Sequence, residues 1–155
     1  MPLALAAAAA VAVLDQLSKW WIVDSVMDPP RTIEVTGFFN LVLTYNPGIS
    51  FGLLSTDAAL VPWLLSGLAV AIVIGLVFWL RRIEGHWPGV AVGFIIGGAV
   101  GNVVDRLRLG KVIDFLDLHW AGFHWPAFNL ADGAITLGVA LLLVDGLFGQ
   151  HKSPR

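Results

Sequence analysis

Residues Gly97–Ile135 read GGAVGNVVDRLRLGKVIDFLDLHWAGFHWPAFNLADGAI. The stretch leaves one apolar segment, crosses a short polar passage and enters another apolar segment. Its two ends carry Asn102, Asp105 and Asp114, then Asn129 and Asp132. Ionisable side chains at membrane depth are costly and mark function. Two neighbouring carboxylates cannot both ionise easily, so one keeps a proton while the other can act as a base. That is what general acid–base hydrolysis of a peptide bond by water requires.

The composition around this stretch sets the class. Of 155 residues, 57% are hydrophobic and only 13% charged, and the mean hydropathy is +0.82. Soluble domains run at roughly 45–50% apolar and about 25% charged, so the chain reads as an integral membrane protein. A net charge of −2 argues against a nucleic-acid partner, which needs a basic face. The chain has no cysteine, which excludes disulfides, zinc-thiolate and iron–sulfur sites and a cysteine nucleophile. One membrane domain over residues 1–155 fits the length.

Four apolar segments are expected as spans, at about 3–23, 58–80, 88–104 and 129–148. About 20 helical residues cross roughly 30 Å of hydrocarbon. Ala8-Ala9-Ala10 resembles a cleavage site, but no basic region precedes the segment. The first span therefore reads as uncleaved. Within it, Asp15 and Lys19 share a helix face at i, i+4, with Lys19 snorkelling as the simplest reading. Trp20 and Trp21 read as an interfacial anchor. In the third segment Gly93, Gly97 and Gly101 form the small-xxx-small pattern of close helix contact. Between the first two spans, residues of about 31–53 are β-branched, aromatic and punctuated by Pro47, Gly48 and Gly52. They predict a small sheet on the membrane surface. Four spans place both termini on one side. Arg81, Arg82, Lys152 and Arg155 then oppose Arg31, Arg106, Arg108 and Lys111, so the positive-inside rule ends in a tie.

If the third span rises, Asn102 and Asp105 stand at its top with Asp114 just beyond. The fourth span starts at that same level with Asn129 and Asp132. The first span also rises, bringing Asp15 to its upper half. Any one of these could simply cap a helix, and Asn129 suits that role well. The convergence of the whole set is better explained by a site, and it reads as a membrane-embedded aspartic peptidase. Phe115, His119, Trp120, Phe123, Trp125 and Phe128 could line a substrate wall, but most of them read as an interfacial aromatic belt. His119 and His124 make a weak metal site, because no H-E-x-x-H accompanies them. Gly48-Ile49-Ser50-Phe51-Gly52 matches the nucleophile-elbow pattern, but that elbow needs a large α/β sheet. A substrate-facing turn fits better.

Five motifs together carry a family resemblance. They are Asp15-Gln16-Leu17-Ser18-Lys19, Asn46-Pro47-Gly48-Ile49-Ser50-Phe51-Gly52 and Gly101-Asn102-Val103-Val104-Asp105-Arg106, then Val112-Ile113-Asp114-Phe115 and Pro126-Ala127-Phe128-Asn129-Leu130-Ala131-Asp132. In these, and over nearly its whole length, the chain resembles the lipoprotein signal peptidases, also called signal peptidase II. The resemblance implies an all-α polytopic membrane protein of four transmembrane helices with a small extracytoplasmic β-cradle. It implies Asp114 and Asp132 as the catalytic pair, with Asp15, Lys19, Asn46, Gly48, Asn102, Arg106 and Asn129 supporting it or touching substrate. Asp105 could also be proposed as a partner of Asp132. Because it adjoins Arg106, it reads instead as a charge-paired structural residue. The implied substrate is a bacterial prolipoprotein cleaved just before its diacylglyceryl-modified cysteine, at the outer face of the inner membrane, with both termini cytoplasmic. No metal, organic cofactor or obligate protein partner is implied; the other partners are membrane lipids.

Two other classes compete. A proton-coupled transporter would put acids near the midplane and commonly shows internal repeats, whereas these acids gather at one end and no repeat is visible. An assembly protein would explain the glycines but not the acids. The family commonly has alanine where this chain has Ser50. Ser50→Ala is therefore expected to keep most cleavage of a lipidated precursor, and complete inactivation of a folded variant would restore the serine-hydrolase reading.

Overall fold

The computed structural model describes residues 1–48 and 60–148. Ser50, the far end of the expected β-region, the first residues of the expected second span and the polar tail lie outside the described residues. Among the described residues, four helices are long and apolar enough to cross a membrane. Helix α1 (Pro2–Trp21) continues into a wider π-helical turn at Ile22–Val26. Helices α2 (Val61–Leu80), α3 (His86–Leu109) and α4 (Leu130–Phe148) complete the bundle.

Helix α3 is central and packs against the other three. A side chain built at Gly93 or Gly97 would run into the carbonyl oxygens of Ala4 or Ala8 on α1, and one at Gly101 into the Asp15 carboxylate. The rising numbers on both helices show that α1 and α3 run parallel. On its other side α3 is antiparallel to α4, with Gly98 against Ala131 and Gly138 against Ala91. Lipid offers apolar helices no hydrophobic gain on association, so backbone approach of this kind supplies the packing. Helix α2 is largely uncovered and meets α3 at their shared end, where Leu80, Val92, Ile96, Ala4 and Ala8 form one buried cluster.

The helix α3 outruns the span expected at 88–104. Asp105 and Arg106 do not end it, because polar residues leave the membrane without breaking a helix. It stops at Gly110, whose φ of +70° and N–H bond to the Arg106 carbonyl (3.0 Å) make a left-handed cap.

Among the described residues, four strands form one antiparallel sheet in the order β1-β2-β3-β4: Ile33–Thr36, Phe39–Asn46, Val112–Trp120 and Phe123–His124. From sequence the sheet is expected within about 31–53, with 112–124 as part of a polar connection. Half the strands lie in that connection. Pairing decides it: Thr44 lies opposite Asp114, Asn46 opposite Val112 and Phe39 opposite Leu118. The β3–β4 hairpin turns through Ala121 (φ 50°) and Gly122 (φ 84°), the positive-φ pair that suits a two-residue hairpin. Ile113 and Phe115 pack with Ile22 and Met27 in a second buried cluster, which ties the sheet to the end of α1. Phe115 is thus core rather than part of an aromatic belt. Phe38, Trp120, Phe123 and Trp125 are exposed.

The α1–α3 seam makes a direct stability prediction. Gly97→Ala should cost about 1–3 kcal/mol, the usual range for overpacking. Gly75→Ala, where nothing lies within 4 Å of the added carbon, should be neutral or mildly stabilising. Thermal unfolding in detergent micelles compares the two; equal behaviour would show that the seam is not tight.

Candidate active site

The site lies where the upper ends of α1 and α3, the start of α4 and the first half of β3 meet. Asn129 stands just before α4 and is fully buried. Its side-chain oxygen accepts the N–H of Asp132 (3.0 Å), while Asp132 Oδ2 accepts the Asn129 N–H (3.2 Å). This reciprocal arrangement is a capping box, and it fixes Asp132 in the first turn. The Asn129 Nδ2 group then donates to Asp114 Oδ1 (2.7 Å) and lies 3.1 Å from Asn102 Oδ1 and 3.2 Å from the Ile113 carbonyl. Asn129 is therefore a helix cap and also the link between the two aspartates.

Asp114 comes from β3 and is buried, with Asn46 Nδ2 donating to its Oδ2 at 3.0 Å. Asn46 ends β2, and its own oxygen accepts the Gly48 N–H at 2.8 Å, where Gly48 turns with φ +87°. Burial pushes the Asp114 carboxyl up to about 6; the Asn46 and Asn129 hydrogen bonds oppose that rise and the nearby Asp132 charge adds to it. Asp132 is half-buried, and Asn102 Nδ2 donates to its Oδ1 at 2.8 Å. Asp132 also lines a groove of about 550 Å³ with Leu118, Trp125 and Phe128 from the sheet side and Thr136 and Leu137 from α4. One carboxylate is enclosed and the other faces an apolar groove.

Beneath this pair lies a buried charge cluster. Lys19 Nζ lies 2.8 Å from both Asp15 Oδ2 and Asp105 Oδ2 and donates to Asn102 Oδ1 at 3.1 Å. Lys19 is only 2% exposed, so it does not snorkel as the sequence suggested; two carboxylates hold it inside. Asp105 is charge-paired, but with Lys19 rather than with its neighbour Arg106. Both carboxylates also reach backbone. Asp15 Oδ1 accepts the Ala131 N–H (3.0 Å) and Asp105 Oδ2 accepts the Ile113 N–H (3.1 Å). Ala131 precedes Asp132, and Ile113 precedes Asp114. Each buried carboxylate therefore pins the residue before one member of the pair.

Asp15, Lys19, Asn46, Gly48, Asn102, Asp114, Asn129 and Asp132 thus share one hydrogen-bonded chain. Arg106 stands at its edge, with one 3.5 Å approach to the Asn102 carbonyl, within electrostatic reach of Asp132, Asp114 and Asp105. Gln16, which the sequence does not single out, also belongs to the network. Its Nε2 donates to Asp105 Oδ1 (2.9 Å) and lies 3.2 Å from Asp15 Oδ2 and from the Gly101 carbonyl. The signal was there in its i, i+3 spacing to Lys19, which puts both on one helix face. His119 and His124 stack with ring centroids 5.0 Å apart and bond to Asn40 and Asp117 on the sheet.

Comparison with known proteins places this geometry. A profile of the family described as Signal peptidase (SPase) II matches residues 7–148. The lipoprotein signal peptidase of Aeromonas hydrophila is 46% identical over 142 residues, covering 90% of this chain and 85% of that protein. That of Cellvibrio japonicus is 43% identical over 149 residues, covering 95% and 87%. Two solved structures, each described as a bacterial membrane enzyme determined by the in meso method, are 29% identical. One, at 2.3 Å resolution, has a TM-score of 0.79 and covers 100% of this chain and 96% of the other; the second, at 1.9 Å, has 0.83, with 97% and 95%. The profile, the relatives and the shared fold agree over nearly the full length: this chain belongs to the signal peptidase II family.

Proposed function

We propose that this chain, a multi-pass bacterial membrane peptidase, removes the signal peptide from diacylglyceryl-modified prolipoproteins by cutting just before the lipidated cysteine. Asp114 and Asp132 are the reacting pair. The observation that carries this assignment is Asn129, which binds Asp114 through its side chain and Asp132 through its backbone N–H. Two carboxylates held in one network share a proton between them. One then takes a proton from water while the other, protonated, polarises the scissile carbonyl and afterwards donates its proton to the leaving amine, so the pair again holds one proton. The enclosed Asp114, pushed up to about 6, is suited to keep the shared proton. Asp132, facing the groove, is suited to meet water and substrate. Asn46, Asn102 and Asn129 hold the two carboxylates, and Arg106 and Gly48 stand where substrate would approach.

The whole chain acts as a single domain, in the bacterial inner membrane, with both termini cytoplasmic and the pair at the periplasmic face. The apolar groove beside Asp132 opens along α4, so lipid tails held there would bring the scissile bond to the pair by position in the bilayer. The reaction needs no metal, organic cofactor or protein partner. Purified protein should cleave a lipidated precursor and leave its unlipidated form intact; equal cleavage of both would refute the substrate assignment.

Asp114→Asn and Asp132→Asn should each lower cleavage by at least the 10²–10⁴-fold typical of acid–base catalysis while leaving precursor binding in place. The double variant should be little worse than either, because the pair acts as a unit. Asp105→Asn should instead lose mainly thermal stability, since it removes a partner of the buried Lys19. A folded, inactive Asp105→Asn beside an active Asp114→Asn would reassign the pair.

Asp114 also sets a pH dependence of stability. Its carboxyl titrates near 6 when folded and near 3.8 when unfolded, so between these values the native state binds more protons. Stability from this group is therefore complete below about pH 4, falls as pH rises to about 6, and stays lower above that. The loss is on the order of 3 kcal/mol. Asn mimics the protonated carboxyl, so Asp114→Asn should match the parent at pH 4 and exceed it at pH 7. Thermal unfolding across that range reads the difference, and a constant gap between the two would contradict it.

A further inference from the structure

A second cavity, of about 220 Å³, opens between the C-terminal halves of α1 and α3 and the sheet, on the far side of Lys19 from the aspartate pair. Trp20, Val23, Leu109 and Ile113 make its apolar walls, and Arg108 stands among them. Tyr45 completes the sheet side, with Lys111 Nζ 4.5 Å from its ring centroid. Arg108 and Lys111 are exposed, and among the described residues neither makes an ion pair with a carboxylate. The one acid in the cavity, Asp105, is already committed to Lys19, Gln16 and the Ile113 N–H.

We propose that this groove seats an anionic phospholipid, with its phosphate between Arg108 and Lys111 and the start of an acyl chain along Trp20, Val23 and Leu109. Three features point to that ligand. Arg108 lines the cavity and Lys111 lies against the ring of Tyr45, which also lines it; neither has a carboxylate partner among the described residues, and Arg and Lys both bind phosphate oxygens well. Trp20 is 64% exposed at the level of α1 where tryptophan marks the membrane–water interface. The walls below the cations are apolar, so the groove accepts a molecule with a charged head and a greasy stem. A zwitterionic head group would bring its own ammonium toward Arg108 in the cavity and Lys111 beside Tyr45, so a net anionic head group is preferred. A lipid here would close the α1–α3 seam over the Lys19–Asp105 pair and shield it from water.

The test uses the full-length protein in nanodiscs of phosphatidylcholine mixed with phosphatidylglycerol, followed by native mass spectrometry of the lipids retained. The parent should retain phosphatidylglycerol in preference to phosphatidylcholine. Removing each cation should lower that preference roughly fivefold, so R108Q/K111Q should lose most of it. R108K/K111R should keep most of it and shows that any loss comes from charge and not from misfolding. R81Q/R82Q, at the opposite end of the bundle, should keep the preference. Soluble glycerol phosphate should fail to displace the lipid, because it lacks the apolar stem. An unchanged preference in R108Q/K111Q, loss in R81Q/R82Q alone, or displacement by glycerol phosphate would each overturn the proposal.

Discussion

The structure depends on one buried ammonium group. Lys19 sits between Asp15 and Asp105 at 2.8 Å from each, in a part of the protein where an unpaired charge would cost several kcal/mol. Each carboxylate balances the lysine and also receives a backbone N–H from the residue preceding Asp132 or Asp114. One ion cluster thereby registers four separate pieces of chain, α1, α3, the start of β3 and the start of α4, against each other. Asn102 extends the same register upward, accepting from Lys19 and donating to Asp132. The charge pairing below and the aspartate pair above are two levels of a single network.

That network requires the helices to be unusually close. Gly101 leaves the space that the Asp15 carboxylate occupies, and Gly93 and Gly97 bring the α1 backbone against α3. Small residues in the seam and ionised residues above it thus belong to one design: the first permits the approach that the second needs. The aspartate pair is the opposite case, where burial works against stability. Asp114 is buried although ionising it there is unfavourable, and its amide partners offset only part of that cost. Burial that pushes a carboxyl upward in this way is the usual arrangement at acid–base sites.

Much of this was legible in the chain. Four spans, the tight glycine seam and the gathering of acids at one end follow from hydropathy, four-residue spacing and segment direction. Each of these is local or depends only on the order of segments. The Val112–Trp120 strand was half visible: in VIDFLDLHW apolar and polar residues alternate only over its second half, and the acids made it look like a polar connection. Phe115 likewise looked interfacial until Ile22 and Met27 were found packed on it.

The sequence by itself determined that the protein lives in a membrane, which residues are too costly there to be idle, and which family motifs they compose. Only the tertiary structure decided who pairs with whom. Asp105 lies beside Arg106 in the chain yet pairs with Lys19 on another helix, and Gln16, an ordinary polar residue on paper, cross-links two carboxylates. Asn129 could be read as a cap, and it is one, but its bond to Asp114 arises because β3 pairs with β2 and delivers that carboxylate across 15 residues. The physical reason is the same in each case. Cost depends on residue type and burial, which composition and pattern reveal, whereas partnership depends on distances that exist only once helices and strands have packed.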